Sequence, residues 1–254
     1  GKKLPADSKT KELNLGARAR CVDINSNGTK LAVGFRDATA RIFDAKSLKF
    51  IKKIADPKIK EKISDIKFSP NNAALAIASH DNFIHLFDAN SYQRTGICKG
   101  HSSYITHIDW SRDSAYLHSN CGAYELLFWD GATGKQKTSG ASELRDEPWA
   151  TWTAVLGWPV QGIYPKGSDG TDVNGVARSN TKLNNEYELV ATADDFGMLK
   201  VFRYPCVKEG AEGVIGRGHS SHVTKCVFSE DDSRIFTTGG NDQCVFSWKV
   251  TKNQ

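Results

Sequence analysis

Five short strand-like runs in this chain each end at a serine, and an aromatic residue follows each serine at a nearly constant distance. The runs CVDINS, ISDIKFS, ITHIDWS, VNGVARS and VTKCVFS close at Ser26, Ser69, Ser111, Ser179 and Ser229. A polar turn and a second apolar run follow each one (KLAVG, AALAIAS, AYLHSN, ELVATAD, RIFTTGG). A third run then ends at Phe43, Phe87, Trp129, Phe202 or Trp248. The serine-to-aromatic separations are 17, 18, 18, 23 and 19 residues, a regularity that unrelated sequence rarely holds.

Side chains within the runs alternate, Val22 and Ile24 on one side and Asp23 on the other, as strand geometry requires. Each unit supplies three strands, and the connecting segments (Lys49 to Ile54, Gln93 to Cys98) supply a fourth. A single small sheet with two apolar faces cannot bury both. Stacking such sheets around an axis does, and a repeat of about 40 residues is the mark of that arrangement. The expected fold is therefore an all-β propeller with about five four-stranded blades visible.

The serines are 43, 42, 68 and 50 residues apart. The long interval marks an insertion at about 131–170, rich in tryptophan (Trp149, Trp152, Trp158), expected to form an extended fourth strand or hairpin packed on the rim. Residues 1–17 read as the end of a preceding blade or a linker, and 18–254 as the blades.

Composition narrows the function. No run approaches the roughly 20 apolar residues of a membrane helix, and the first residues lack a signal peptide's apolar stretch. Six scattered cysteines form no CxxC pair and have no histidine at metal spacing, so they read as reduced core thiols of a cytosolic protein. The net charge of +5 suits an acidic protein surface, but the lysines are not interleaved with aromatics as in a nucleic-acid platform. Asn27-Gly28-Thr29 is read as a hairpin turn rather than a glycosylation site. The carboxylate pairs Asp169/Asp172 and Asp194/Asp195 fall in turns, where aspartate caps its own backbone. No nucleophile, phosphate loop or metalloprotease motif is present. The chain is expected to be no enzyme and to need no cofactor or metal.

The last unit carries Gly218-His219, Thr238, Asp242 and Trp248, which resemble the hydrogen-bonded tetrad of WD repeats. Unit three has Gly100-His101 and Trp129-Asp130, but Ala123 stands where the turn aspartate belongs, so one tetrad is expected to be complete. Longer stretches are more specific: GHSSYITHIDWS, GAYELLFWD, WATWTAVLGW, GSDGTDVNGV, ATADDFGMLKVFRYPC and GHSSHVT. From about Arg18 to Val250 the chain closely resembles the C-terminal WD-repeat propeller of the echinoderm microtubule-associated protein-like family.

That resemblance implies part of a seven-bladed propeller, in tandem with an upstream propeller of the same chain. It implies tubulin or microtubules as partners and a cytoskeletal location, including ciliary or other stable microtubule arrays. The function expected is a non-catalytic interaction scaffold. The alternative is a generic adaptor that recruits a peptide or an enzyme complex, such as a ligase substrate receptor.

Propellers bind partners where each inner strand begins. Counting seven residues back from each serine gives Ala19 (flanked by Arg18 and Arg20), Lys62, Tyr104, Asp172 and His222. The residues before the next turn's aspartate add Arg36, His80 and Asn241. This mostly polar ring with one aromatic anchor is the candidate docking face. A second candidate is the basic run Lys46 to Lys62, with Lys52, Lys53, Lys58 and Lys60. It suits either attraction of an acidic partner or protection of an edge strand.

Overall fold

The structure is a computed structural model that describes residues 12–165, 167–168, 170–182 and 186–251. Most of the segment 1–17, and Asp169, lie outside the described residues. Residues 12–17 carry no strand; Leu15 and Ala17 pack on the outer side of the first sheet, against Val33, Phe35 and Phe43.

Among the described residues, five antiparallel sheets follow one another. The first holds β1 (Ala19–Ile24), β2 (Lys30–Phe35), β3 (Ala40–Asp44) and β4 (Phe50–Ile54). The second holds β5 (Ile63–Phe68), β6 (Ala74–Ser79), β7 (Ile84–Asp88) and β8 (Arg94–Cys98). The third has only β9 (Ile105–Trp110), β10 (Tyr116–Cys121) and β11 (Leu126–Asp130). The fourth comprises β12 (Val173–Arg178), β13 (Glu188–Asp194), β14 (Met198–Tyr204) and β15 (Val214–Arg217). The fifth comprises β16 (Val223–Phe228), β17 (Arg234–Gly239) and β18 (Val245–Lys249). In every sheet the strands pair in sequence order, so each unit is an up-and-down meander as its alternation predicts. Between β1 and β2 the chain turns at Asn27-Gly28, with Gly28 at φ +66°, where a β-carbon would be strained.

The sheets stack face to face. Ala32 and Ile42 of the first sheet join Ile63, Ile66, Leu75 and Phe87 of the second in one buried cluster. Ala76, Ile84 and Leu86 join Ile108, Trp110 and Trp129 of the third, and Ala191 and Leu199 of the fourth join Cys226 and Ile235 of the fifth. At the two ends of the series one face stays uncovered. Val22 and Ile24 of β1 are 61% and 55% exposed, and Val227 and Val245 of the fifth sheet are 54% and 69% exposed.

The insertion corrects the expectation of a strand or hairpin. Its described residues contain one short helix α1 (Gly140–Glu143), a 3-10 turn at Trp158–Ile163, and two isolated bridges, Ser111 to Trp149 and Trp129 to Gln136. Residues 149–154 run as a wedge between the third and fourth sheets. Trp149, Trp152, Ala154 and Val160 are buried there with Phe128, Val176 and Phe202. Arg178 of β12 donates to the carbonyls of Trp149 (2.5 Å) and Ala150 (3.2 Å). Trp158 escapes this core at 40% exposure, with the Arg145 guanidinium over its ring at 4.6 Å.

Candidate functional site

The candidate docking face lies where the inner strands begin, and one backbone bond recurs there in every sheet. The N–H groups of Arg36, His80, Gly122, Asp195 and Gly240 donate to the carbonyls of Arg18, Lys62, Tyr104, Asp172 and His222, at 2.9–3.0 Å. Four of these acceptors are the residues found by counting back from the serines, and in the first unit Arg18 rather than Ala19 holds the equivalent place. A register shift follows at the start of each inner strand, as between Ala19 and Cys21 and between Ile63 and Asp65. Such a bulge re-aims the extra side chain, and in β1 that residue is Arg20.

The sector spanning the first three sheets is cationic and aromatic. Arg18, Arg20, Arg36 and Tyr104 are exposed, and Lys62 and His80 are half-buried. The His80 and Tyr104 rings stack at 4.6 Å and 6°. Partial burial, with the charges of Lys62 and Arg20, pulls the His80 imidazole down to about 4, so it is neutral at physiological pH. Two carboxylates nearby are engaged in turns, while Glu61, beside Lys62, is exposed. Asp37 accepts from Thr39, and Asp81 accepts from His85, Lys60 N–H and Phe83 N–H. Around the arc the face becomes less cationic, with Asp172 and His222 half-buried and Asn241 exposed. Sequence reasoning missed Tyr124 and Phe196, 54% and 62% exposed in the turns after β10 and β13. Their signal was an apolar ring in a turn.

The basic run divides. Lys52 and Lys53 lie exposed on β4, the edge of the first sheet, and pair with Ile42 and Arg41. Lys58 and Lys60 lie in the loop leading to β5, where Lys60 N–H bonds to Asp81 at 3.0 Å, and so they border the docking face.

Beneath the face, the tetrad of the fifth sheet forms with one correction. His219 Nδ1 meets Asp242 at 2.8 Å, its Nε2 meets Thr237 Oγ1 at 2.8 Å, and Trp248 Nε1 donates to the same hydroxyl at 2.8 Å. Thr238, the residue expected, points to the uncovered face and bonds to Thr224. Strand alternation decides this. Trp248 pairs with Ile235, so the hydroxyl on its side of the sheet belongs two residues on, at Thr237. Thr237→Val is expected to destabilise by about 1–3 kcal/mol in urea unfolding because it orphans buried donors. Thr238→Val is expected to stay within about 0.5 kcal/mol.

A second tetrad also exists, against expectation. His101 Nε2 and Trp129 Nε1 both meet Ser119 Oγ at 2.7 Å, while His101 Nδ1 meets Glu125 at 3.1 Å. The longer glutamate reaches back from two residues beyond Ala123. In the second sheet Asp81 is held instead by His85, whose other nitrogen meets Arg94 at 2.8 Å.

Along the inner strands runs a row of carboxylates. Asp23 accepts from Phe68 N–H (2.8 Å), Asp65 from Ile108 N–H (3.2 Å), and Asp109 from Thr153 and Ala154 N–H (2.8 and 3.2 Å). Each acceptor reaches a donor 43–45 residues onward. The wedge therefore meets Asp109 in the way the next inner strand meets Asp23 and Asp65. Lys67 lies 3.3 Å from Asp109. Burial alone would raise the Asp109 carboxyl, but Lys67, His118 and the threonine donors outweigh it and hold it well below the usual range. Among the described residues Asp23 has no such partner within ion-pair reach, and burial pushes it up to about 6. Asp194, one of the paired turn carboxylates, accepts from Phe196 and Met198 N–H and pairs with Lys200.

A family model described as the echinoderm microtubule-associated protein second beta-propeller matches residues 4–250. The chain belongs to the echinoderm microtubule-associated protein-like family. It is 50% identical over 195 residues to the 77 kDa echinoderm microtubule-associated protein of Lytechinus variegatus, covering 75% of this chain and 28% of that protein. Against echinoderm microtubule-associated protein-like 3 of Homo sapiens the identity is 39% over 242 residues, 94% of this chain and 26% of that one. The chain thus spans about a quarter of these relatives. A chain from the crystal structure of the mitotic checkpoint complex superposes with a TM-score of 0.74 at 18% identity, over 97% of this chain and 82% of that chain. That likeness shows the propeller fold alone. Within the family's second propeller, the described sheets are accordingly blades, and 149–154 is the wedge among them.

Proposed function

We propose that this propeller is a non-catalytic docking module of a microtubule-associated scaffold, and that tubulin contacts the sector of the face built from Arg18, Arg20, Arg36, Lys62, His80 and Tyr104. The observation that carries this reading is charge that is not paid back. Arg18, Arg20, Arg36, Lys60 and Lys62 form no ion pair among the described residues, while Asp37 and Asp81 beside them are held in turns and Glu61 stands exposed. Unpaired cations around a stacked aromatic pair suit an acidic protein surface, which they attract at a distance and grip at short range. The names of the relatives supply the partner. Lys58 and Lys60 extend the same field, while Lys52 and Lys53 protect an edge strand.

The polar groups that could serve catalysis are engaged structurally: Asp194 caps a turn, and His101 and His219 sit in tetrads. Within the whole protein, an upstream propeller of the same chain is proposed to lie next to this one, in stable microtubule arrays that include the ciliary axoneme. Co-sedimentation with microtubules tests the reading on the full-length protein. Charge reversal at Arg36, Lys60 and Lys62 is expected to weaken association at least about tenfold and flatten its salt dependence. Reversal at Lys52 and Lys53 is expected to leave it unchanged, with thermal stability constant in both. Unaltered affinity in the first variant overturns the proposal.

A further inference from the structure

The third blade departs from its neighbours at the turn after β10. Where the fifth blade places the single carboxylate of Asp242 against its tetrad histidine, the third places both a carboxylate and a thiol. His101 Nδ1 lies 3.1 Å from Glu125 Oε2, and Cys121 Sγ lies 3.0 Å from the same oxygen. All three donor atoms fall within 4.8 Å of one another, the one such cluster of histidine, cysteine and acidic donors among the described residues. We propose that His101, Cys121 and Glu125 form a binding site for a single zinc-class divalent cation, with a fourth position open to water.

The donor set suits such an ion. Zinc takes sulfur at about 2.3 Å and nitrogen or oxygen at about 2.0–2.2 Å in a tetrahedron. Ligand atoms of such a tetrahedron are then about 3.3–3.6 Å apart, so the two contacts to Glu125, at 3.1 and 3.0 Å, would open by roughly half an ångström, and the His101 and Cys121 donors stand within 4.8 Å of each other. The second shell is in place. His101 Nε2 bonds to Ser119 Oγ at 2.7 Å, which orients the ring as ligating histidines require. Ser102 holds the carboxylate from both sides, through N–H to Oε2 and Oγ to Oε1, each at 2.9 Å.

Access and charge agree. The Glu125 side chain is 33% exposed while that of His101 is 1% exposed, so the cluster opens on one side only. A divalent ion held by one thiolate and one carboxylate is neutral overall, which a half-buried place tolerates where a bare charge would not. Binding breaks the S–H bond of Cys121, forms the sulfur–metal bond and releases one proton to solvent. The site would tie the first turn of the blade to the loop that carries Tyr124. It stands independently of the tubulin reading.

Calorimetric titration of the reduced, metal-free full-length protein with zinc ion tests the proposal, with cobalt ion as a visible probe of thiolate ligation. One equivalent is expected to bind with release of a proton. Cys121→Ser, which keeps a hydrogen-bond donor toward Glu125, is expected to weaken binding by more than about 100-fold, since even second-shell changes cost 10–100-fold. Glu125→Gln is the second variant, and circular dichroism confirms that both remain folded. Cys244→Ser, at the exposed thiol, is expected to change nothing. No one-to-one binding, or binding that survives both Cys121→Ser and Glu125→Gln, overturns the site.

Discussion

Asp109→Ala is expected to remove about 3–5 kcal/mol of stability, enough to unfold much of a marginally stable domain. The carboxylate is wholly buried and sits where the third blade meets the wedge. It accepts from Thr151 Oγ1, from Thr153 through N–H and Oγ1, and from Ala154 N–H. It also lies 3.3 Å from Lys67 Nζ and 3.6 Å from His118 Nε2. Alanine leaves the Lys67 ammonium without its nearest counter-charge and strips two backbone donors of their acceptor, the costly way to break a buried pair. Adding Lys67→Met to Asp109→Ala should recover part of the loss, because the stranded charge is gone. A double-mutant cycle by urea unfolding is expected to show coupling of about 1–3 kcal/mol. A loss below about 1 kcal/mol for Asp109→Ala would mean that the wedge is not anchored there.

Trp152→Ala is expected to cost a comparable 3–5 kcal/mol, the range for emptying a buried aromatic site. The ring is 3% exposed, its Nε1 donates to Ala154 O at 3.0 Å, and it packs 4.6 Å from His118 and 6.4 Å from Trp149. No backbone ladder holds this segment as a strand, so its side chains carry the packing between the third and fourth blades. Trp158→Ala, six residues on in the same insertion, removes a ring that is 40% exposed and is expected to cost less than about 1 kcal/mol. Thermal and urea unfolding of the two variants separate a structural wedge from a surface loop. Equal effects would contradict the wedge.

The positions read from sequence fall into two groups. The serine landmarks all close inner strands or their edges, and counting back from them found Lys62, Tyr104, Asp172 and His222, which the structure places in one recurring backbone bond. These are consequences of period-two alternation and fixed turn lengths, which neighbouring residues set locally. The tetrad was one residue off because two adjacent threonines fit the spacing equally well. Only the pairing of Trp248 with Ile235 puts Thr237, not Thr238, on the indole's side. Glu125 was invisible because motif matching looked for an aspartate at a fixed place, while a longer side chain can reach the same histidine from further along the turn.

The insertion shows the limit most clearly. Its tryptophans announced that it must be covered, yet nothing in its own pattern says that Thr153 and Ala154 would bond to a carboxylate 44–45 residues earlier. Local periodicity along the chain already dictates that five alternating meanders must stack, and fixed turn lengths dictate which residues fall where the inner strands begin. Only folding in three dimensions settles which hydroxyl completes each tetrad, which acid each histidine meets, and that a strandless segment takes an inner strand's place beside Asp109. Those outcomes depend on register and on the space between sheets, which residues distant in sequence create together.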